Sequence, residues 1–191
     1  MASPRVRAVR ADAQRNIDAI LQAAEVRLSQ DPETSVAEIA RSAGVGRVTL
    51  YGHFPTRAEL VAAVFAQILT DSEQTLDTVD TEGDPTDALR RLIAASWRIV
   101  HRFSAILTAA ERELGANAVR GHHVEHLDRI SALLERGRDA GAFRDDVPLP
   151  WLATVCMTLM HTAAGEVDAG RLSEQEAEHA VIETILGACG A

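Results

Sequence analysis

Five side chains crowd into seven positions near the start of this chain: Arg47, Val48, Thr49, Tyr51 and His53. Their types suit nucleic-acid recognition. A forked guanidinium can bridge O6 and N7 of guanine, a branched apolar side chain can meet a thymine methyl, and hydroxyl or imidazole groups can donate to phosphate oxygens. To act together they must share one exposed face, and Leu50 and Phe54, four apart, supply the opposite buried side if the segment is helical. A short helix from Arg47 to Phe54 is therefore expected, with a polar face suited to a DNA groove. Gly52 costs that helix about 1 kcal/mol against alanine, and its bare backbone would admit DNA or a neighbouring helix. A solvated surface role remains the alternative for Arg47.

The elements that would position this face are legible just upstream. Val36, Ile39, Ala40 and Ala43 follow the i, i+3, i+4, i+7 pattern of one helix face. Ser35 and Glu38 have the spacing of a capping box, so that helix starts at about Val36. Gly44 follows the apolar run, where a left-handed residue can end the helix and turn the chain sharply, and Val45 would plug the core side of the turn. Pro55 stops the second helix, and Thr56 with Glu59 repeats the capping pattern to open a third. An ordinary helical hairpin without a nucleic-acid role is the bland alternative. It leaves the agreement of the polar face, the caps and the turn glycine unexplained.

The stretch ETSVAEIARSAGVGRVTLYGHFPTRAEL resembles the DNA-binding signature of the TetR family of bacterial transcriptional regulators, over roughly residues 13 to 65. The T-L-Y-x-H-F core, the A-G-V turn and the F-P-T-R-A-E-L exit are specific when found together. The resemblance implies that Arg47, Val48 and Thr49 meet bases or nearby backbone, and that Tyr51 and His53 meet phosphates. It implies further backbone contacts for Ser35 and Arg57. Gly46 departs from the pattern, since many relatives carry a serine or another polar residue there; glycine still caps a helix, but one DNA contact is lost.

The formal net charge of -9 argues against DNA binding until it is divided by region. Residues 1–57 hold eight arginines against six acids, whereas the remainder holds eleven against twenty-two. The sign asymmetry would orient the molecule on DNA. Every basic residue is arginine, so each phosphate contact would use a forked donor, although nucleotide bias of the source genome explains the choice as well. Arg5, Arg7 and Arg10 are expected to form a mobile basic arm before the first helix, reaching along the backbone or into a minor groove; a disordered tail is the alternative.

Downstream the pattern is helical throughout, without a period-2 strand. The fold class expected is all-α, with about nine helices: an N-terminal three-helix DNA-binding domain over residues 1–56, and a C-terminal bundle over 57–191 for effector binding and dimerisation. Ile17, Ile20, Leu21, Ala24 and Leu28 form the stripe of helix 1. A long helix follows from Arg57 to about Thr78, the DTEGDPTD stretch makes a linker, and further helices are expected at about 86–102, 104–114, 118–140, 149–169 and 173–188. The last two carry apolar residues beyond what one face needs, among them Trp151, Val155, Leu159, Ala180 and Leu186. In the family the last two long helices commonly pair with a second copy. A homodimer would place two recognition helices one DNA turn apart.

The resemblance also implies a small-molecule pocket in the C-terminal part, for which Trp97, His101, Phe103, Met157, Met160 and His161 are the candidate lining. Plain core packing is the alternative for each. His122, His123 and His126 have metal-like spacing, but Arg120 and Arg129 oppose a cation, and a solvated polar face is the preferred reading. No metal or other cofactor is expected. Cys156 and Cys189 read as unpaired thiols. No catalytic triad, phosphate loop or H-E-x-x-H motif occurs, so enzyme activity is not expected. No apolar run reaches ~18 residues and the N-terminus is charged, which predicts a cytoplasmic protein without a membrane partner. The function expected is a sequence-specific regulator of transcription, a ligand-released repressor that binds an inverted-repeat operator on double-stranded DNA as a dimer. Two alternatives remain: a helical small-molecule-binding protein or enzyme without operator binding, and a DNA binder indifferent to sequence.

Overall fold

A computed structural model describes residues 4–115, 118–119 and 124–190. Among the described residues nine helices are formed: α1 (Pro4–Gln30), α2 (Val36–Ser42), α3 (Arg47–His53), α4 (Arg57–Asp77), α5 (Pro85–Arg102), α6 (Ser104–Leu114), α7 (Val124–Asp139), α8 (Leu149–Asp168) and α9 (Glu174–Cys189). No strand is present among them, and no helix is long and apolar enough to cross a membrane.

The chain divides into two compact units. The first comprises residues 1–68 and 105–119, and the second residues 69–104 and 120–191. The boundary expected from the sequence falls after residue 56. The first unit extends past it because Leu60, Val61 and Val64 of α4 are buried there, and because α6 contributes buried Ile106, Ala109 and Ala110. Periodicity identifies such apolar stripes but not the partner they cover.

In the first unit α1 packs on α2 and α2 on α3, around Ile20, Ala24, Leu28, Ile39 and Leu50. Helix α1 starts at Pro4, so Arg5, Arg7 and Arg10 belong to its backbone and do not form a separate arm. Nothing after Pro4 interrupts the helix, proline suits the first helical turn, and the alanines and arginines that follow are good helix formers.

In the second unit α5, α7, α8 and α9 share one core. Leu89, Ile93 and Trp97 of α5 meet Ile130 and Leu134 of α7, Leu152 and Met160 of α8, and Val181 and Ile185 of α9. Helix α5 starts on Asp84, whose carboxylate accepts from the Thr86 and Asp87 amides, with Pro85 in the first turn. Helix α9 starts on a Ser173–Glu176 capping box. Gly137 of α7 has no room for a side chain, because an added Cβ would lie 2.0 Å from the ring of Phe143. Both cysteines are buried and unpaired in this core, and the pKa of the Cys156 thiol is pushed up by the neighbouring Cys189 side chain and by burial.

The apolar residues of α8 and α9 divide between two faces. Leu152, Cys156, Met160, Ala177, Val181 and Ile185 point inward and are buried. Trp151, Thr154, Thr158 and Thr162 form an exposed face of α8, and no charged residue occurs from 149 to 165.

Candidate nucleic-acid interface

The interface is built from the cap of α2 upward. The Glu38 amide donates to Ser35 Oγ at 3.3 Å, while the Ser35 amide and hydroxyl donate to Glu38 Oε2 at 3.0 and 2.7 Å. These bonds stabilise the carboxylate, with the Ser35 hydroxyl the largest cause, and hold the Glu38 pKa below the ordinary carboxylate value. At the other end Gly44 takes φ 69°, a region where a Cβ would clash. The Val45 amide then reaches the Ala40 carbonyl at 3.0 Å, and the Gly44 amide the Arg41 carbonyl at 3.2 Å. This pair of bonds is a Schellman closure, and it reverses the chain within four residues.

Gly46 caps α3 without a side-chain bond. Seven residues leave room for one anchor, and Leu50 fills it, fully buried. Arg47, Val48, Thr49 and Tyr51 are all exposed, Val48 to 88%, and His53 is half-buried. Phe54 is the C-cap and is also half-buried, so it closes the helix instead of extending its buried side. A Cβ at Gly52 would meet nothing within 4 Å, so no neighbouring helix needs that bare backbone. The Glu59 amide donates to Thr56 Oγ1 at 3.1 Å, which starts α4.

Ser35 and Arg57 are placed differently from the α3 set. The Ser35 hydroxyl proton is engaged by Glu38. Arg57 turns into its own unit: Nε donates to Glu113 Oε1 at 2.8 Å, Nη2 to the Pro32 carbonyl at 2.6 Å, and Nη1 to the Thr34 carbonyl. Arg112 pairs with Glu33 beside it. Sequence reasoning missed these partners, because Glu113 stands 56 residues from Arg57 and no local pattern links them.

The six candidate effector residues lie in the second unit, with Phe103 at the end of α5. Trp97, Met157 and Met160 are buried members of the core, while His101, Phe103 and His161 are half-buried. Trp97 and His101 stack with centroids 5.4 Å apart and planes 15° apart, and His101 Nδ1 stands 3.4 Å from Glu174. The Trp97 indole nitrogen and the Ser96 hydroxyl are buried without a hydrogen-bond partner. Phe103 lies under the Arg102 guanidinium at 4.9 Å. His122 and His123 lie outside the described residues. His126 is not on a solvated face: its side chain is mostly buried, with Nδ1 3.6 Å from Glu73, which also accepts from Arg129.

A capped α2, a Schellman turn and a short α3 with an outward polar face define a helix-turn-helix DNA-binding protein. Residues 20–64 match the family model for bacterial regulatory proteins of the tetR family, and the chain belongs to this family of DNA-binding transcriptional regulators. Over 174 residues it is 26% identical to the transcriptional regulator NfxB of Pseudomonas aeruginosa, covering 87% of this chain and 90% of that one. Over 76 residues it is 36% identical to the transcriptional repressor LfrR of Mycolicibacterium smegmatis, covering 39% of this chain and 40% of LfrR. The crystal structure of LfrR in complex with proflavine superposes with a TM-score of 0.71 at 22% identity, over 93% of this chain and 98% of that one. A TetR-family regulator from Agrobacterium tumefaciens gives 0.75 at 22% identity, over 94% of this chain and all of the other. These likenesses carry the all-α regulator fold along nearly the whole chain.

Proposed function

We propose that this regulator is a ligand-released repressor that binds an inverted-repeat operator as a homodimer. The first unit binds DNA, and the second binds the effector and dimerises. The observation that carries the reading is the face of α3, where an apolar side chain, Val48, stands 88% exposed among polar neighbours. A single exposed valine is common on protein surfaces, and its weight here comes from standing beside exposed Arg47, Thr49 and Tyr51 on one short helix after the turn. Arg47, Val48 and Thr49 read base edges, and Tyr51 and His53 hold phosphates. Repression is favoured by the likeness to LfrR.

Dimerisation through α8 and α9 is supported by the uncharged face of α8, on which Trp151 is 59% exposed. A two-fold axis there would set two copies of α3 about 34 Å apart, one turn of DNA. The effector is an aromatic small molecule, the kind of compound that proflavine, bound in the LfrR crystal structure, represents. The half-buried His101, Phe103 and His161 offer it aromatic surface and polar groups, and the buried Trp97, Met157 and Met160 would meet it on opening of the core around them. Preference of the effector for one dimer shape shifts the population away from the DNA-binding one.

Anisotropy titrations at two salt concentrations test the reading, using a palindromic duplex selected by the wild-type protein from random DNA and a scrambled control. Affinity for the selected duplex should fall by orders of magnitude as salt rises, and Arg47→Ala should relax the preference over the control. Equal binding to both duplexes, or binding indifferent to salt, would reject operator recognition. Added proflavine should release the duplex if the effector class is right.

A further inference from the structure

Arg57 occupies a position for which the family resemblance implies a contact with the DNA backbone, yet every nitrogen of its guanidinium already has a partner within its own unit. We infer that Arg57 is a positioning residue, a brace that ties the α1–α2 turn to Glu113 of α6, and not a phosphate contact. The inference rests on the DNA-binding reading of α3.

The geometry carries it in three ways. First, the two carbonyls that Arg57 holds, those of Pro32 and Thr34, lie in the turn immediately before Ser35, the cap of α2. Neither belongs to a regular helix ladder, so the guanidinium supplies their hydrogen bonds. Second, the Glu113 carboxylate 2.8 Å from Nε neutralises the charge a phosphate would seek. To reach DNA, Arg57 would abandon three bonds and leave Glu113 facing the same polyanion. Third, a second ion pair, Arg112 with Glu33, joins the same two segments. Pro32, Glu33, Arg57, Ala109, Arg112 and Glu113 surround a cavity of about 150 Å³. Exposed ion pairs alone contribute little. The fork of Arg57 differs because its three bonds fix the direction in which α2 leaves the turn, and α3 follows α2 through the rigid Schellman closure. Recognition groups must be held to within ~0.5 Å of productive geometry, so loosening this turn weakens binding without removing any DNA contact.

The test compares wild type with Arg57→Ala, Arg57→Lys, Glu113→Ala and Glu113→Gln on the selected palindromic duplex across a salt series, after thermal melting of each variant. The brace predicts that Arg57→Ala and Glu113→Ala each weaken binding by about tenfold or more, with the slope of log K against log salt unchanged. Arg57→Lys should not rescue, because one ammonium cannot span three acceptors in the fork geometry. A phosphate contact predicts the reverse. Arg57→Ala would then lower the slope by roughly 0.9 for each lost contact. Lysine would restore it, and Glu113→Ala would leave affinity equal or raise it; any of these three results overturns the brace. Should Arg57→Ala melt below the assay temperature, Glu113→Ala carries the test, since it removes the acceptor of Nε and keeps the guanidinium, with Glu113→Gln, which retains an acceptor, as its conservative control. Weaker binding of Glu113→Ala at unchanged slope supports the brace, and unaltered or tighter binding overturns it. If the wild-type protein binds without salt dependence, it is the DNA reading that fails.

Discussion

The α3 segment and the core of the second unit contain similar residue types and use them in opposite ways. In α3 a single leucine is buried and an apolar valine is left in solvent, so the helix is held by its neighbours and offers nearly all of its surface to a partner. In α5 the tryptophan is fully buried among leucines and isoleucines, and even its indole nitrogen is sealed from solvent. The difference separates binding surface from scaffold. An element that recognises a partner keeps just enough core contact to be placed, whereas an element that must first be stable buries whatever it carries.

The contrast can be broken most directly at Trp97. If it is scaffold, Trp97→Ala should cost about 3–5 kcal/mol, read from denaturant unfolding of the second unit. A small loss would instead mean that the ring lines an open pocket. Next in size is Leu50→Ala, the only buried side chain of α3, which should cost about 2–5 kcal/mol and abolish operator binding together with stability. Unaltered DNA affinity in that variant would show that α3 does not need its anchor to read DNA.

Val48→Ala should do the opposite. Stability should hold or rise by less than about 0.5 kcal/mol, since alanine favours helix and no packing is lost, while preference for the selected duplex falls. Unchanged preference would remove Val48 from the reading face.

The smallest effect concerns Glu38. Its pKa is lowered in the fold, so its contribution is present above the unfolded value of about 4.3 and fades as pH falls through the lower folded one. Melting temperature should therefore fall less between pH 7 and pH 3 in Glu38→Gln than in wild type. An equal fall would mean that the capping box does not titrate with folding.

The recognition hairpin was legible because its signals are local. Ser35 and Glu38 are three apart, Gly44 closes the helix that Ser42 ends, and Leu50 faces inward, although Phe54, expected beside it, caps the helix half-buried. The cap, the turn and Leu50 follow from backbone geometry over four residues or fewer, and the structure places them as their spacing implies. In the sequence the run from Pro4 resembles an arm because its arginines cluster, yet arginine favours helix and nothing after Pro4 breaks one. The effector candidates were harder for another reason. Aromatic and methionine residues at helical spacing look alike whether they line a cavity or fill a core, and Trp97, Met157 and Met160 prove to be buried members of the core.

By itself, then, the sequence determined the helices, the caps, the turn and the identity of the exposed face of α3, since these depend on interactions between residues a few positions apart. Only the tertiary structure decided that α6 joins the DNA-binding unit, that His126 meets Glu73, and that Arg57 meets Glu113. Those pairings link segments more than fifty residues apart, and nothing in local spacing records which distant carboxylate a guanidinium or imidazole will find.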